Sequence, residues 1–131
     1  MSSVDIIHFT EKKQDWDARV EEAVFRPGND MVDLKHVRLN YPDRDLQLRA
    51  KDGLYDLRSG RIQLENDIEG TIKGTEFKSA RISYNPLKNI IIAKDGLVIK
   101  GKKFRITGNS GKIIGNNIMK VEGNVKAVFY K

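Results

Sequence analysis

The chain has 131 residues, 39% of them hydrophobic, 32% charged and 8% aromatic, with a formal net charge of +6 and no cysteine. That length suits one soluble domain with a real core, and the aromatic share speaks against disorder. The lack of cysteine excludes a disulfide framework and thiolate metal sites while leaving the redox compartment open, and no apolar run approaches the roughly 18 residues of a membrane span.

In chain order, turn-forming residues cluster at 11–13, 27–30, 42–45, 58–60, 73–74, 85–89, 100–103 and 115–117, in steps of 14 to 16 residues. Gly, Pro, Asn and Asp supply the backbone angles of tight turns, so each cluster ends one element, and the even spacing implies one unit laid down repeatedly. Between the clusters apolar and polar residues alternate, the signature of strands with one buried face. In several stretches the alternation slips by one residue near the middle. Trp16, Ala18 and Val20 give way to Ala23 and Phe25, Val32 and Leu34 to Val37 and Leu39, Leu46, Leu48 and Ala50 to Tyr55 and Leu57, and Phe77 and Ser79 to Ile82 and Tyr84. A slip of that kind would turn half of the apolar set into water unless a bulge or bend absorbed a residue. Small or turn-prone residues stand where the bend is needed: Asp52–Gly53, Asn66–Asp67, Asp95–Gly96, Asn109–Gly111 and Glu122–Gly123. The pentapeptide Ala-Lys-Asp-Gly-Leu recurs at 50–54 and 93–97, which predicts equivalent bends in two different stretches.

The simplest object with this pattern is an antiparallel meander of about eight long strands, each kinked midway so that its halves lie in two facing sheets with open ends. Helical periodicity is absent from Ile62 onward, and Trp16–Phe25, the one region where a helix competes, reads as strand. The interior of such a slot either interdigitates as a dry core or stands apart around a guest, and the pattern leaves both open. The whole of 1–131 is expected to form this single domain, with 1–13 in part a flexible N-terminal segment.

Chemistry is sparse. His8 and His36 stand 28 residues apart with no carboxylates at ligand spacing, so they read as surface or strand-end residues rather than metal ligands. Ser59, Ser79, Ser83 and Ser110 lack a nucleophile-elbow context, and the Asn109–Lys112 segment lacks the Walker spacing and a following helix. No catalytic residue, metal or cofactor is expected. The basic segments 73–81 and 100–105, with Phe77 and Phe104 interleaved, suit a solvated surface, and they also suit a polyanion. A phosphorylated amphiphile would use both a basic mouth and an apolar slot.

Ile7-His8-Phe9-Thr10, then Trp16-Asp-Ala18-x4-Ala23-x-Phe25, Val32-Asp-Leu34-x2-Val37 and Leu48-x-Ala50-x2-Gly53-x-Tyr55, followed by repeated Ile-x-Leu and Gly-x-Val pairs, resemble the lipopolysaccharide-export protein family LptC. The chain is more loosely similar to the bridge protein LptA of the same superfamily. The resemblance covers roughly 5–130 and rests on patterns of apolar and small residues. It implies an all-β, antiparallel β-jellyroll that binds lipopolysaccharide, acts without chemistry, and passes the lipid from an inner-membrane ABC transporter complex to an LptA-like periplasmic jellyroll. It also implies a periplasmic place with an N-terminal inner-membrane anchor that this chain lacks. No nucleic acid partner is implied.

On that resemblance the inward-parity bulky residues become candidate lipid contacts: Trp16, Phe25, Leu48, Tyr55, Ile62, Leu64, Phe77, Tyr84, Ile92, Phe104 and Ile106. Each is also what any sandwich core needs. The terminal segment 124–131 alternates without proline, so Val125, Ala127 and Phe129 mark either an edge open to strand addition by a similar jellyroll, or by another copy of this chain, or simply the last covered strand. A lipid conduit, a polymerising β-scaffold and a polyanion-binding module are the three readings that remain.

Overall fold

The computed structural model describes residues 4–10, 13–42, 45–85, 90–114 and 118–130. They form strands β1 (Val4–Thr10), β2 (Lys13–Val20), β3 (Glu22–Arg26), β4 (Met31–Tyr41), β5 (Leu46–Asp56), β6 (Ile62–Ile72), β7 (Thr75–Asn85), β8 (Ile90–Lys100), β9 (Phe104–Gly108), β10 (Ser110–Ile114), β11 (Ile118–Glu122) and β12 (Lys126–Phe129). Among the described residues there is no helix, and Trp16–Phe25 is strand on both sides of a break at Glu21. The turn clusters at 11–12, 43–44, 86–89 and 115–117 lie outside the described residues.

The long stretches expected from the turn spacing are all present. Strands β4 to β8 run unbroken through their bends for 11 residues each. Three more stretches separate into halves at theirs: β2 with β3, β9 with β10, and β11 with β12. β1 adds a short strand in the segment expected to be partly flexible; it pairs with β2 from Val4↔Val20 to Thr10↔Lys13, and Arg19 donates to Asp5 across it at 3.1 Å.

Every neighbouring pair is antiparallel, and the bends sort the half-strands into two layers. The first runs β1, β2, the second half of β4, the first half of β5, the second half of β6, the first half of β7, the second half of β8, β9 and β12; the second runs β3, the complementary halves of β4 to β8, β10 and β11. The sheet does not close into a barrel, so among the described residues each layer ends in edges that pair on one side only.

The bends have a local cause. Registers shift between Arg49 and Asp52, Glu65 and Ile68, and Ser79 and Arg81. His36, Asn66, Asp67, Asp95, Gly96, Gly123 and Asn124 adopt positive φ, a region that Asn, Asp and Gly enter at least cost. The two copies of the pentapeptide differ here. Both sit at mid-strand, yet only Asp95–Gly96 is left-handed; in β5 the slip is absorbed opposite His36. Gly53 instead keeps the layer tight, because a Cβ there would stand 3.1 Å from Val37 Cγ2 and 3.2 Å from Leu64 Cδ2.

Because each slip is absorbed, both halves of a strand keep their apolar set inward. Leu34 with Val37 and Leu39, Ala50 with Leu46 and Leu48, Ile68 with Ile62 and Leu64, and Phe77 with Ile82 all lie in one buried cluster. Each fully buried aliphatic side chain is worth about 1.5–3 kcal/mol of transfer free energy. The seam of bends is polar outside: Lys35 donates to Asp52 at 2.5 Å, Asn66 donates to the same carboxylate at 2.8 Å, and Lys51 meets Asp67 at 2.8 Å. Inside it, the buried Ser79 hydroxyl has the Gly96, Lys94 and Arg81 carbonyls within 2.8, 3.1 and 3.2 Å.

Candidate functional site: the interlayer slot and its open ends

The space between the layers differs from centre to end. At the centre, Leu39, Tyr41, Leu46 and Leu48 of the first layer meet Ile62, Leu64, Ile82, Tyr84 and Ile91 of the second around a void of about 10 Å³. A neighbouring void, among Phe77, Leu97, Ile99, Ile113 and Met119, measures about 20 Å³. Spaces that small hold one water at most, so the middle of the slot is filled by the chain's own side chains. Tyr41 and Tyr84 cross it edge to face, ring centroids 5.8 Å apart, their hydroxyls 3.4 Å from each other. Tyr55 lies nearer the margin, where burial and then the adjacent Asp56 push its hydroxyl above the ordinary tyrosine range.

Towards the last strands the filling thins. Ile106 pairs with the buried Ile99, so alternation turns Phe104 and Ile106 inward; both are half-buried. On β12, Ala127 pairs with Ile106 and Phe129 with Phe104, which carries the same inner face one strand further. Met119 and Val121 face it from the second layer, where Val121 fills the space in which Gly108 has no side chain. Beyond them nothing among the described residues covers the inner face of β12. Phe129 is 74% exposed with its ring centroid 6.5 Å from that of Phe104, and Val125, just ahead of the other end of β12, is 51% exposed. At the opposite end, Ala23 and Phe25 extend the inner face on β3, opposite Val32 and the buried Leu34, and Phe25 is 55% exposed.

Leu48, Ile62, Leu64, Phe77 and Tyr84, expected as lipid contacts, are thus buried core residues; Tyr55, Phe104 and Ile106 are half-buried; Phe25 is exposed at one mouth. Ile92 departs from its expected inward parity. The alternation in β8 buries Ile91 and Ala93, so Ile92 lies half-buried on the outer side with Ile90. A run of four apolar residues at 90–93 gives parity nothing to hold, and only the register against Ser83 and Lys112 decides it. Trp16 sits in β2 opposite His8, and its side chain lies outside the described residues. Met119 and Val121 went unnoticed in the sequence, although Met119-Lys-Val121 alternates just ahead of the bend at Gly123.

The edges are equally plain. β1 and β12 end the first layer, β3 and β11 the second, and each pairs on one side only among the described residues. Tyr130 donates its N–H to the Lys103 carbonyl at 2.8 Å, so the β9–β12 ladder reaches the last described residue.

No protein-family description matches the chain, and neither does any curated protein sequence. Among solved structures, it is similar to LptH of Pseudomonas aeruginosa, the LptA-homologous periplasmic component of the conserved lipopolysaccharide transport device: TM-score 0.71, 9% sequence identity, 88% of this chain and 95% of that one covered. At that identity the likeness is one of fold, the LptA-like jellyroll.

Proposed function

We propose that this chain is a non-catalytic lipopolysaccharide-binding and transfer protein, taking lipid A acyl chains at the end of the slot and passing them along an edge-to-edge bridge of jellyrolls. The observation that carries this is the inner face of β9 and β12: Phe104, Ile106, Ala127 and Phe129 continue the apolar lining past the filled centre onto an edge that is uncovered and unpaired among the described residues. A monomer rarely leaves a contiguous apolar face in water without a use for it. The shared fold with a periplasmic component of lipopolysaccharide transport supports the same reading. Within it the sequence resemblance favours an LptC-like role, periplasmic and anchored through an N-terminal segment, between an inner-membrane ABC transporter complex and an LptA-like partner.

A photocrosslinking residue at Phe129 is expected to capture lipopolysaccharide and to lose that capture with the deacylated form, while the same probe at Lys112, on the outer face, captures neither. Equal capture at both positions refutes the reading. A charged or proline substitution at Ala127 is expected to abolish end-to-end association in a pull-down; retained association counts against edge-to-edge transfer.

A polymerising β-scaffold is favoured by one observation, the central voids of only about 10 and 20 Å³. It is distinguished by sedimentation: filaments that lengthen with concentration, without lipid, select it.

A further inference from the structure

The outer surface of the first layer is concave, and three arginines stand side by side across its floor. Register places Arg19 on β2 opposite Arg38 on β4, and Arg38 opposite Arg49 on β5. Like charges directly opposite each other destabilise a sheet. The outer two are met by carboxylates: Asp5 accepts from Arg19 at 3.1 Å and Glu69 from Arg49 at 3.3 Å. Arg38, between them, forms no ion pair among the described residues. All three line both a groove of about 840 Å³ and an adjoining hollow of about 440 Å³, the size range of small-molecule sites. Two residues along the strands, the next transverse row is uncharged and hydrogen-bonding: Asn40 opposite Gln47, and Gln47 opposite Thr71, all lining the same groove. Asp17 and Glu76 flank that second row.

We propose that this groove binds a phosphorylated sugar or polyol, its phosphate on Arg38 and the flanking arginines and its hydroxyls on Asn40, Gln47 and Thr71. Guanidinium groups take phosphate in paired, charge-assisted hydrogen bonds. Adjacent strands lie about 4.8 Å apart, and positions two residues along a strand about 6.6–6.8 Å apart, so the two rows are one sugar ring from each other. The Asp5 and Glu69 pairs are exposed, and such pairs contribute little, so a doubly charged phosphate displaces them readily. The groove is on the opposite side of the sheet from the slot, and its fate is independent of the transport reading.

The test is an amide and arginine Nε NMR titration of the intact chain with glucose 1-phosphate, with glucose, and with phosphatidylinositol 4-phosphate in phosphatidylcholine vesicles. Expected are saturable shifts at Arg38, Asn40, Gln47 and Arg49 with the first probe and none with glucose. Vesicle binding without free-ligand binding assigns the ligand to a lipid headgroup, and the reverse to a soluble metabolite; either supports the site provided Arg38→Gln weakens it about tenfold, the value of one charge-assisted contact. Arg38→Gln relieves like-charge crowding, so its thermal midpoint is expected to stay level or rise. Arg105→Gln, an equal charge change on the same outer face but outside the groove, is expected to bind as the unaltered chain does. Equal weakening by both variants, or no saturable shift with either phosphate probe, overturns the proposal.

Discussion

Gly70→Ala adds one carbon to the floor of the first layer, where the structure leaves no room for it. A Cβ there would lie 2.5 Å from Phe77 Cζ, 2.6 Å from Leu48 Cδ2 and 2.9 Å from the Gln47 carbonyl oxygen. Gly70 has no positive φ, so the backbone accepts alanine, and the whole penalty comes from packing. Phe77 and Leu48 are 3% and 5% exposed, hence hemmed in by the filled centre, and the third contact is backbone that cannot swing away. Overpacking of that kind costs about 1–3 kcal/mol. With a urea dependence of about 1–3 kcal/mol per molar for a small domain, the midpoint is expected to fall by roughly 1 M. Equilibrium urea unfolding followed by tyrosine and tryptophan fluorescence reads it directly, and Phe77→Leu in the same chain is expected to recover part of the loss. The result bears on function as well as packing. If the layers part easily to admit acyl chains, Phe77 and Leu48 yield and Gly70→Ala costs less than about 0.5 kcal/mol, the range of neutral surface changes. That outcome would refute the filled-centre argument.

Other expectations follow from the same geometry. Leu64→Ala, at the closed centre, is expected to lose about 2–5 kcal/mol, whereas Phe129→Ala, at the open end, stays within about 0.5 kcal/mol and loses lipopolysaccharide capture; comparable destabilisation by the two would show that the end is not open. Ser79→Ala removes the hydroxyl beneath three carbonyls at the β7–β8 bend and is expected to cost about 1–2 kcal/mol, with faster amide exchange at Gly96 as the local sign; unchanged exchange there would mean that the hydroxyl does not hold the bend. The Lys35 ammonium, then the Asn66 amide, hold the Asp52 carboxyl below its usual range, while Asp52 raises Lys35 and Asp67 raises Lys51. A depressed acid stabilises above its unfolded pKa and loses that contribution as pH falls through the folded one, and the raised lysines stabilise below their unfolded pKa and lose it as pH rises through theirs. The seam is therefore expected to be tightest between roughly pH 4 and 10; carbon-detected NMR placing the Asp52 midpoint at or above about 3.9 would contradict it.

Much of this was legible because parity is unforgiving in a strand. Val37 and Leu39 can share a core with Leu34 only if one residue is absorbed between them, and His36 absorbs it. The same reasoning found Asn66–Asp67 and Asp95–Gly96 without coordinates. Parity decides less where the local signal is ambiguous. Asp52–Gly53 has the same two residues as Asp95–Gly96 and also borders a register shift, between Arg49 and Asp52, but opposite the left-handed His36 its own backbone stays at negative φ. The Ile90–Ala93 run is apolar on both parities, so alternation alone does not place Ile92, which lies on the outer face rather than the inward one expected for it. The arginine row was out of reach altogether, since Arg19, Arg38 and Arg49 meet only through the register of three strands, which no pattern along one strand encodes.

Where a guest would enter follows from comparing the two kinds of apolar surface. A chain inserted at the centre must replace side-chain contacts that Leu46, Leu64 and Ile82 already make, exchanging one apolar packing for another with little gain and some loss of fit. At the end, Phe129 and its neighbours are in water. Covering an exposed aromatic side chain gains about 1.5–3 kcal/mol, and each acyl methylene removed from water adds about 0.8 kcal/mol. Burial at the mouth is thus nearly all gain. It also occludes the inner side of β12 without touching its outer backbone edge, whose N–H and C=O groups, unpaired among the described residues, would be open to the strand of another jellyroll. On the proposed reading, capture and docking would therefore use different atoms of one strand, and a lipid held under β12 would already stand at the junction across which it would be passed.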